Sequence, residues 1–176
     1  MSGKFLIVAT VFVCICIENR AQSTELGVLS SPKSVGIEAL FSSSVGNKSL
    51  LRLYTDLTGV IEGDNKRPGY AADWHILLPI HQWTTSYGGT LSMYGGPGIA
   101  AGGILDPKDG DCLTGGLSGI VRLECTFRLP ITIGIGYSAI LACKIYKSRD
   151  NDVTLSLYTN GLKRIWMPEI SIKYRF

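Results

Sequence analysis

Hydrophobic and polar residues alternate along most of the chain beyond residue 25. In 131–145 every odd-numbered residue is apolar or aromatic, and the even-numbered residues include threonine, glycine, serine and lysine. The segments 113–127 and 165–176 alternate in the same way. A period of two is the geometry of a β-strand whose two faces meet different surroundings. The pattern therefore predicts a protein built from strands.

The alternation predicts an all-β protein, a closed antiparallel up-and-down transmembrane β-barrel of eight strands. Most of the predicted strands are longer than those of soluble proteins, which cluster near about five or six residues. A strand that crosses a bilayer at a tilt of about 45° needs roughly 9–11 residues. The predicted strands are 25–30, 34–45, 48–60, 70–82, 88–104, 112–127, 130–146 and 165–176.

The connections between the predicted strands alternate in length, as they do in a barrel with tight periplasmic turns and longer outer loops. The link at 31–33 departs from this order because it is short where a long loop is expected. Val153–Tyr158 also alternates and is followed by Asn160-Gly161, a hairpin signal, so we interpret it as a hairpin projecting from the last outer loop. The short links are 46–47, 83–87 and 128–129, and the long ones are 61–69, 105–111 and 147–164.

The first residues have the layout of a secretory signal peptide. Lys4 precedes a continuous apolar run at 5–17, and Ala21 is a small residue just beyond it. The run is shorter than the roughly 20 residues that a membrane-spanning helix needs. We expect cleavage after Ala21, which leaves 22–176 as the barrel domain; the alternative is a buried N-terminal helix.

Composition narrows the class of protein further. Hydrophobic residues make up 45% of the chain and charged residues 18%, which argues against disorder. A formal net charge of +3 is too small to indicate a nucleic-acid binder. Cys112, Cys125 and Cys143 contain no CxxC spacing, so they predict neither a zinc site nor a disulfide framework and are interpreted as small hydrophobic residues.

The end of the chain carries the most specific motif. Ile170, Ile172, Tyr174 and Phe176 alternate up to a terminal aromatic residue, which resembles the C-terminal signature of bacterial outer-membrane β-barrel proteins. The whole chain resembles a small eight-stranded barrel of the OmpA/OmpX-like or porin-like superfamily. The resemblance implies that these four residues form the signal read by the barrel insertion machinery. It also implies a location in the bacterial outer membrane, in contact with its lipid.

If the apolar face meets lipid, the polar face points into the barrel. An eight-stranded barrel has room inside for side chains alone, and buried charges must pair or cost several kcal/mol each. We therefore expect an interior plugged by ion pairs rather than a conducting pore. The predicted interior charges are Glu38, Arg52, Asp56, Asp73, Arg122, Glu124, Lys144, Glu169, Lys173 and Arg175.

Candidate chemistry is sparse. Asp73 and His75 share one strand face and could act together as a catalytic general base. The favoured interpretation is that they are hydrogen-bonded members of the interior network. Asp106, Asp109 and Asp111 lack the spacing of a calcium loop and predict a solvated loop. The sequence predicts no cofactor and no metal.

The leading functional hypothesis is a non-catalytic barrel with a structural, adhesive or envelope-complex role, whose outer loops could meet an envelope protein. Two alternatives remain open. One is an outer-membrane enzyme that acts at the barrel mouth, and the other is a soluble periplasmic ligand-binding barrel with its apolar face turned inward.

Overall fold

The computed structural model describes residues 23–43, 46–61, 67–85, 88–106, 110–147, 153–158 and 168–176. The predicted signal peptide lies outside these ranges. Within them the chain is all-β apart from one helical turn, α1, and no helix there is long and apolar enough to cross a membrane. The elements are β1 (Ser23–Ser31), β2 (Ser34–Ser42), β3 (Lys48–Asp56), α1 (Thr58–Ile61), β4 (Gly69–Thr84), β5 (Thr90–Asp106), β6 (Gly110–Thr126), β7 (Ile131–Lys147), β8 (Val153–Tyr158) and β9 (Glu169–Arg175).

The strands close into a barrel. Consecutive strands from β1 to β7 pair antiparallel, and β9 pairs with both β7 and β1, which completes the ring. Following paired residues once around the ring from Asp73 leads back to β4 at Thr84, so the ladder is staggered and the strands are tilted. The predicted closed, antiparallel eight-stranded barrel is confirmed.

The eighth wall strand has two parts. β6 occupies one edge of β7, so β8 and β9 must both pair with the other edge. β8 pairs with residues 142–147 of β7, and β9 pairs with residues 131–136. Val153–Tyr158 therefore forms an antiparallel hairpin with the last residues of β7 at the loop end, on the edge that β9 uses lower down; the Asn160-Gly161 part of the predicted hairpin lies outside the described residues. The parity of the strands is unchanged.

The barrel has two different ends. The turn end contains both termini of the barrel and the connections at 43–47, 85–89 and 127–130, and the loop end contains the other connections. Two of these turns use a glycine with positive φ: Gly46 at 88° and Gly88 at 75°. The short link between β1 and β2 lies at the loop end, as the sequence indicated.

Several strand boundaries differ from the prediction for local reasons. β3 ends at Asp56 rather than at residue 60, because the following residues form α1. β9 begins at Glu169, directly after Pro168, which cannot donate to a ladder. β4 contains a register shift between Pro79 and His81, the position of a β-bulge.

The polarity of the two faces of the wall is the reverse of that in a soluble protein, whose apolar side chains point inward. The outer face is apolar and exposed along nearly every strand, whereas most buried charged side chains belong to the inner face. Leu117 on the outer face is 66% exposed, while Arg52 and Glu124 on the inner face are at most 1% exposed. The described part of the interior also holds two apolar clusters, a larger one of Leu40, Leu50, Leu77, Tyr94 and Ile120 and a smaller one of Ala100, Ile140 and Ala142.

Candidate functional site

Charged side chains from six strands meet inside the barrel. The cross-strand register explains why they are so close: Glu38, Arg52 and Asp73 are direct neighbours across β2, β3 and β4. Directly opposite residues lie about 4.5–5.5 Å apart at Cβ, within reach of side-chain pairing. The contacts divide these residues into two groups, centred on Arg52 and on Arg122.

The Arg52 group joins four strands. Arg52 makes a bidentate contact with Asp73, with Nε–Oδ1 and Nη2–Oδ2 distances of 2.6 Å each, and its Nη1 also donates to Glu169 of β9. Ser138 of β7 donates its hydroxyl proton to the other oxygen of Glu169 at 2.8 Å. Charge-assisted fork contacts of this kind are among the stronger hydrogen bonds in proteins. One buried guanidinium therefore ties β3 to β4 and β9.

The Arg122 group lies closer to the turn end. Arg122 donates to both oxygens of Glu38, at 2.8 and 2.5 Å, and to the hydroxyl of Ser171. Its Nε lies 3.1 Å from Oε1 of Glu124, and the same oxygen accepts from Lys173. These contacts connect β6 to β2 and β9 across the interior.

Two lysines complete the Arg122 group. Lys48 of β3 donates to Oε2 of Glu124 at 2.8 Å, and its ammonium lies 4.3 Å from the centroid of the Tyr94 ring. Lys173 also lies 3.4 Å from the carboxylate of Glu25. Within the Arg122 group, three cations therefore face three carboxylates, so the buried charges are matched in number.

Glycines make room for these side chains. A Cβ at Gly134 would stand 2.7 Å from Nη2 of Arg122 and 2.9 Å from the hydroxyl of Ser171. A Cβ at Gly27 would stand 2.6 Å from Cγ of Lys173. Glycine at these two inward positions therefore lets the charged side chains lie flat against the wall.

The structure places the predicted interior residues in two settings. Seven of the ten are buried within the two groups. Asp56, Lys144 and Arg175 also lie on the inward register, but at or near strand ends and partly exposed. The buried residues are Glu38, Arg52, Asp73, Arg122, Glu124, Glu169 and Lys173.

Two interior charges, Glu25 and Lys48, were missed by the sequence analysis. Both stand at or near strand beginnings at the turn end, where the pattern of alternation starts and its face is hard to assign. Lys48 shares the parity of Arg52 on β3, and that parity was the available signal.

His75 is fully buried on the inward face of β4, beside Asp73. Its Nδ1 lies 3.4 Å from Oδ1 of Asp73, whose oxygens are held by Arg52. Neither ring nitrogen has a hydrogen-bond partner among the described residues.

The described residues contain no group of three or more His, Cys, Asp or Glu side chains that could hold a metal ion. The side chains of Asp106, Asp109 and Asp111 fall outside the described part of the structure. The cysteines at 112, 125 and 143 form no disulfide bond with one another.

The predicted insertion motif forms the outer face of β9. Ile170, Ile172, Tyr174 and Phe176 all point outward and are at least half exposed. The rings of Tyr174 and Phe176 meet edge to face with centroids 5.1 Å apart. The N–H of Phe176 donates to the carbonyl of Thr24 at 2.9 Å, which holds the last residue against the start of β1.

Comparisons with known proteins give a weak structural similarity. No family model matches the chain. No curated protein matches it. Among solved structures, the chain is similar to the crystal structure of a major outer membrane protein from Thermus thermophilus, with 9% identity and a TM-score of 0.40 over 88% of this chain and 100% of that chain.

Proposed function

We propose that this chain is an integral barrel of the bacterial outer membrane with a non-catalytic structural, adhesive or envelope-complex role. Its interior is held closed by the Arg52 and Arg122 groups. Its long connections at the loop end are the surface through which an envelope protein would be met. Lipid contacts the outer wall, and the insertion machinery reads the outer face of β9.

The inversion of the two faces carries this proposal. Residues such as Ile133, Ile172 and Leu117 cover the outside of the barrel. In water, this would be an uninterrupted apolar surface exposed to solvent. A closed barrel satisfies its backbone hydrogen bonds internally, which a membrane-spanning segment must do. A soluble ligand-binding barrel would need the opposite arrangement, with an apolar cavity inside and charges outside.

Reconstitution into lipid tests the proposal directly. The full chain, expressed and purified in detergent, is mixed with phosphatidylcholine vesicles and floated on a density gradient after an alkaline carbonate wash. We expect it to float with the lipid and to migrate differently on gels when unboiled and boiled. Recovery in the aqueous phase without detergent, as a folded monomer, would contradict the membrane location.

The interior groups lead to a prediction about conduction. Opening a water path would separate buried ion pairs, at a cost of several kcal/mol for each charge left alone. We therefore expect no stable open channel in planar-bilayer recordings of the purified protein. Reproducible single-channel steps comparable to those of a general diffusion porin would contradict the plugged interior, whereas rare small flickers would be compatible with fluctuations of the loops.

Phe176 leads to a prediction about assembly. Deleting Phe176 should lower the amount of the heat-modifiable folded form in cells, because the proposed insertion signal loses its terminal aromatic residue. Phe127, an exposed aromatic residue of another turn-end segment, provides a matched control as Phe127→Ala, which should leave the yield much closer to the parent. Full assembly without Phe176 would remove the main support for recognition by the insertion machinery.

A further inference from the structure

The apolar face of β9 does not determine where β9 pairs. Its outward residues Ile170, Ile172 and Tyr174 face Ile135, Ile133 and Ile131 of β7. Sliding β9 by two residues would keep every side chain on its own side of the wall and would again place apolar residues opposite isoleucines. A slip of one residue is excluded because it would turn the charged face outward.

No hairpin joins β9 to a strand with which it pairs. In a hairpin the loop length sets the register of the two strands. β9 pairs with β7, from which β8 separates it along the chain, and with β1, the first strand that the structure describes. The pairing of β9 with β1 and β7 must therefore be specified by something other than connections and outer-face packing.

The inward residues of β9 differ at every step. Glu169 pairs with Arg52, Ser171 accepts from Arg122, and Lys173 pairs with Glu124 and Glu25. Each of these three positions meets its own set of partners, so the inner face can distinguish registers that the outer face cannot.

A slip of β9 towards the loop end would break this correspondence. Lys173 would take the place of Ser171 beside the guanidinium of Arg122, a like-charge contact. Ser171 would take the place of Glu169 and leave Arg52 with one carboxylate. The opposite slip would leave the carboxylates of Glu124 and Glu25 without Lys173.

We propose that Glu169 and Lys173 select the register in which the barrel closes. Their ion pairs act as the specificity determinants of the β9 seam, and the outer apolar residues supply adhesion to lipid and to the neighbouring strands without register information. Buried polar groups that fix register are best known from coiled coils, and the β9 seam is the equivalent in this barrel. The inference concerns closure of the ring and does not depend on the function proposed above.

Disulfide trapping across the β1–β9 seam tests the inference. In the full chain with all five cysteines replaced by alanine, Val28→Cys is combined in turn with Ile172→Cys, Ile170→Cys or Tyr174→Cys. Val28 lies directly opposite Ile172, and its diagonal neighbours are about 7–8 Å away, too far for a disulfide. With the native charges, we expect the 28–172 bridge to exceed the other two at least about tenfold.

A variant whose charge pattern is shifted along β9 provides the most decisive comparison. The changes Glu169→Gln, Ser171→Glu and Lys173→Ser move the charge pattern along the strand by two residues, with Arg175 taking the place of Lys173. We expect the dominant bridge to change from 28–172 to 28–174. A folded, heat-modifiable shifted variant that still forms mainly the 28–172 bridge would overturn the proposal.

Two further variants keep the test decisive if the shifted variant does not fold. The double variant Glu169→Gln, Lys173→Gln removes both charges and adds none. The 28–170 and 28–174 bridges, which report slipped registers, should then rise to amounts comparable with the native 28–172 bridge. Lys173→Gln alone is a milder form of the same change. A native bridge that remains at least about tenfold in excess in these folded variants would also overturn the proposal. Arg175→Gln, which removes a charge from the rim end of the same strand, is the control and should leave the native bridge dominant.

Discussion

Replacing Arg52 by methionine should lower the free energy of unfolding by about 3–5 kcal/mol, the usual cost of leaving a buried charge without its partner. Arg52 holds two carboxylates, Asp73 and Glu169, and both would lose their cation at once. The loss should be measured by urea titration of the heat-modifiable form in detergent micelles or vesicles. Among the described ion pairs, Asp73 and Glu169 have no lysine or arginine partner other than Arg52. No other single replacement of a described lysine or arginine leaves two carboxylates without such a partner.

Two control variants separate charge from packing in this prediction. Arg67→Met changes an exposed arginine in the loop between β3 and β4, and should cost less than about 1 kcal/mol. The triple variant Arg52→Met, Asp73→Asn, Glu169→Gln removes the whole set of charges and should recover most of the stability lost by Arg52→Met. A single variant as stable as the parent would mean that the Arg52 group contributes nothing to the folded barrel.

In the proposed membrane location, introducing arginine at Val121 should destabilise the barrel by about 2–4 kcal/mol, the cost of an arginine on the lipid face of a barrel near the midplane. Val121 points outward in the middle part of β6, opposite Tyr137 of β7. The unfolding free energy in phosphatidylcholine vesicles measures the effect. Val121→Leu, which stays apolar, is the matched control and should change it little.

The neighbouring position tests the same assignment from the inside. Arg122→Val combined with Glu38→Gln removes a buried pair together, while Glu124 keeps its contacts with Lys48 and Lys173. We expect this double variant to cost less than Val121→Arg. Equal effects, or the reverse order, would mean that the lipid and interior faces are inverted.

The alternation of side chains was sufficient to predict the closed barrel and its two faces, because a strand in a one-layer wall turns alternate side chains to the outside and to the interior. The odd positions of β7 and the even positions of β9 show this most clearly, since nearly all are apolar. Strand ends were less predictable. At Leu57 and beyond, apolar residues continue after β3, but the backbone turns into α1.

Partners inside the barrel were not predictable from the pattern. Arg122 contacts Glu38, 84 residues away, because β2 and β6 lie across the interior from each other. A period of two shows on which face of the wall a residue lies. It does not show how far along the barrel axis or where around the ring the residue lies, because both positions depend on the stagger of the strands. The interior leucines at 40 and 50 were hidden for another reason: each has an apolar neighbour on the outer face, so alternation there is blurred.

The division of the eighth wall strand gives the chain a natural point for variation in length. β8 and β9 each pair with their own part of β7, so residues inserted between them need not displace either ladder. Elsewhere in a β-barrel, inserting an odd number of residues within a wall strand would turn all the following side chains of that strand to the wrong face. In this protein a peptide tag, an epitope or a whole recognition segment inserted between β8 and β9 would leave the pairing of both strands with β7 in place.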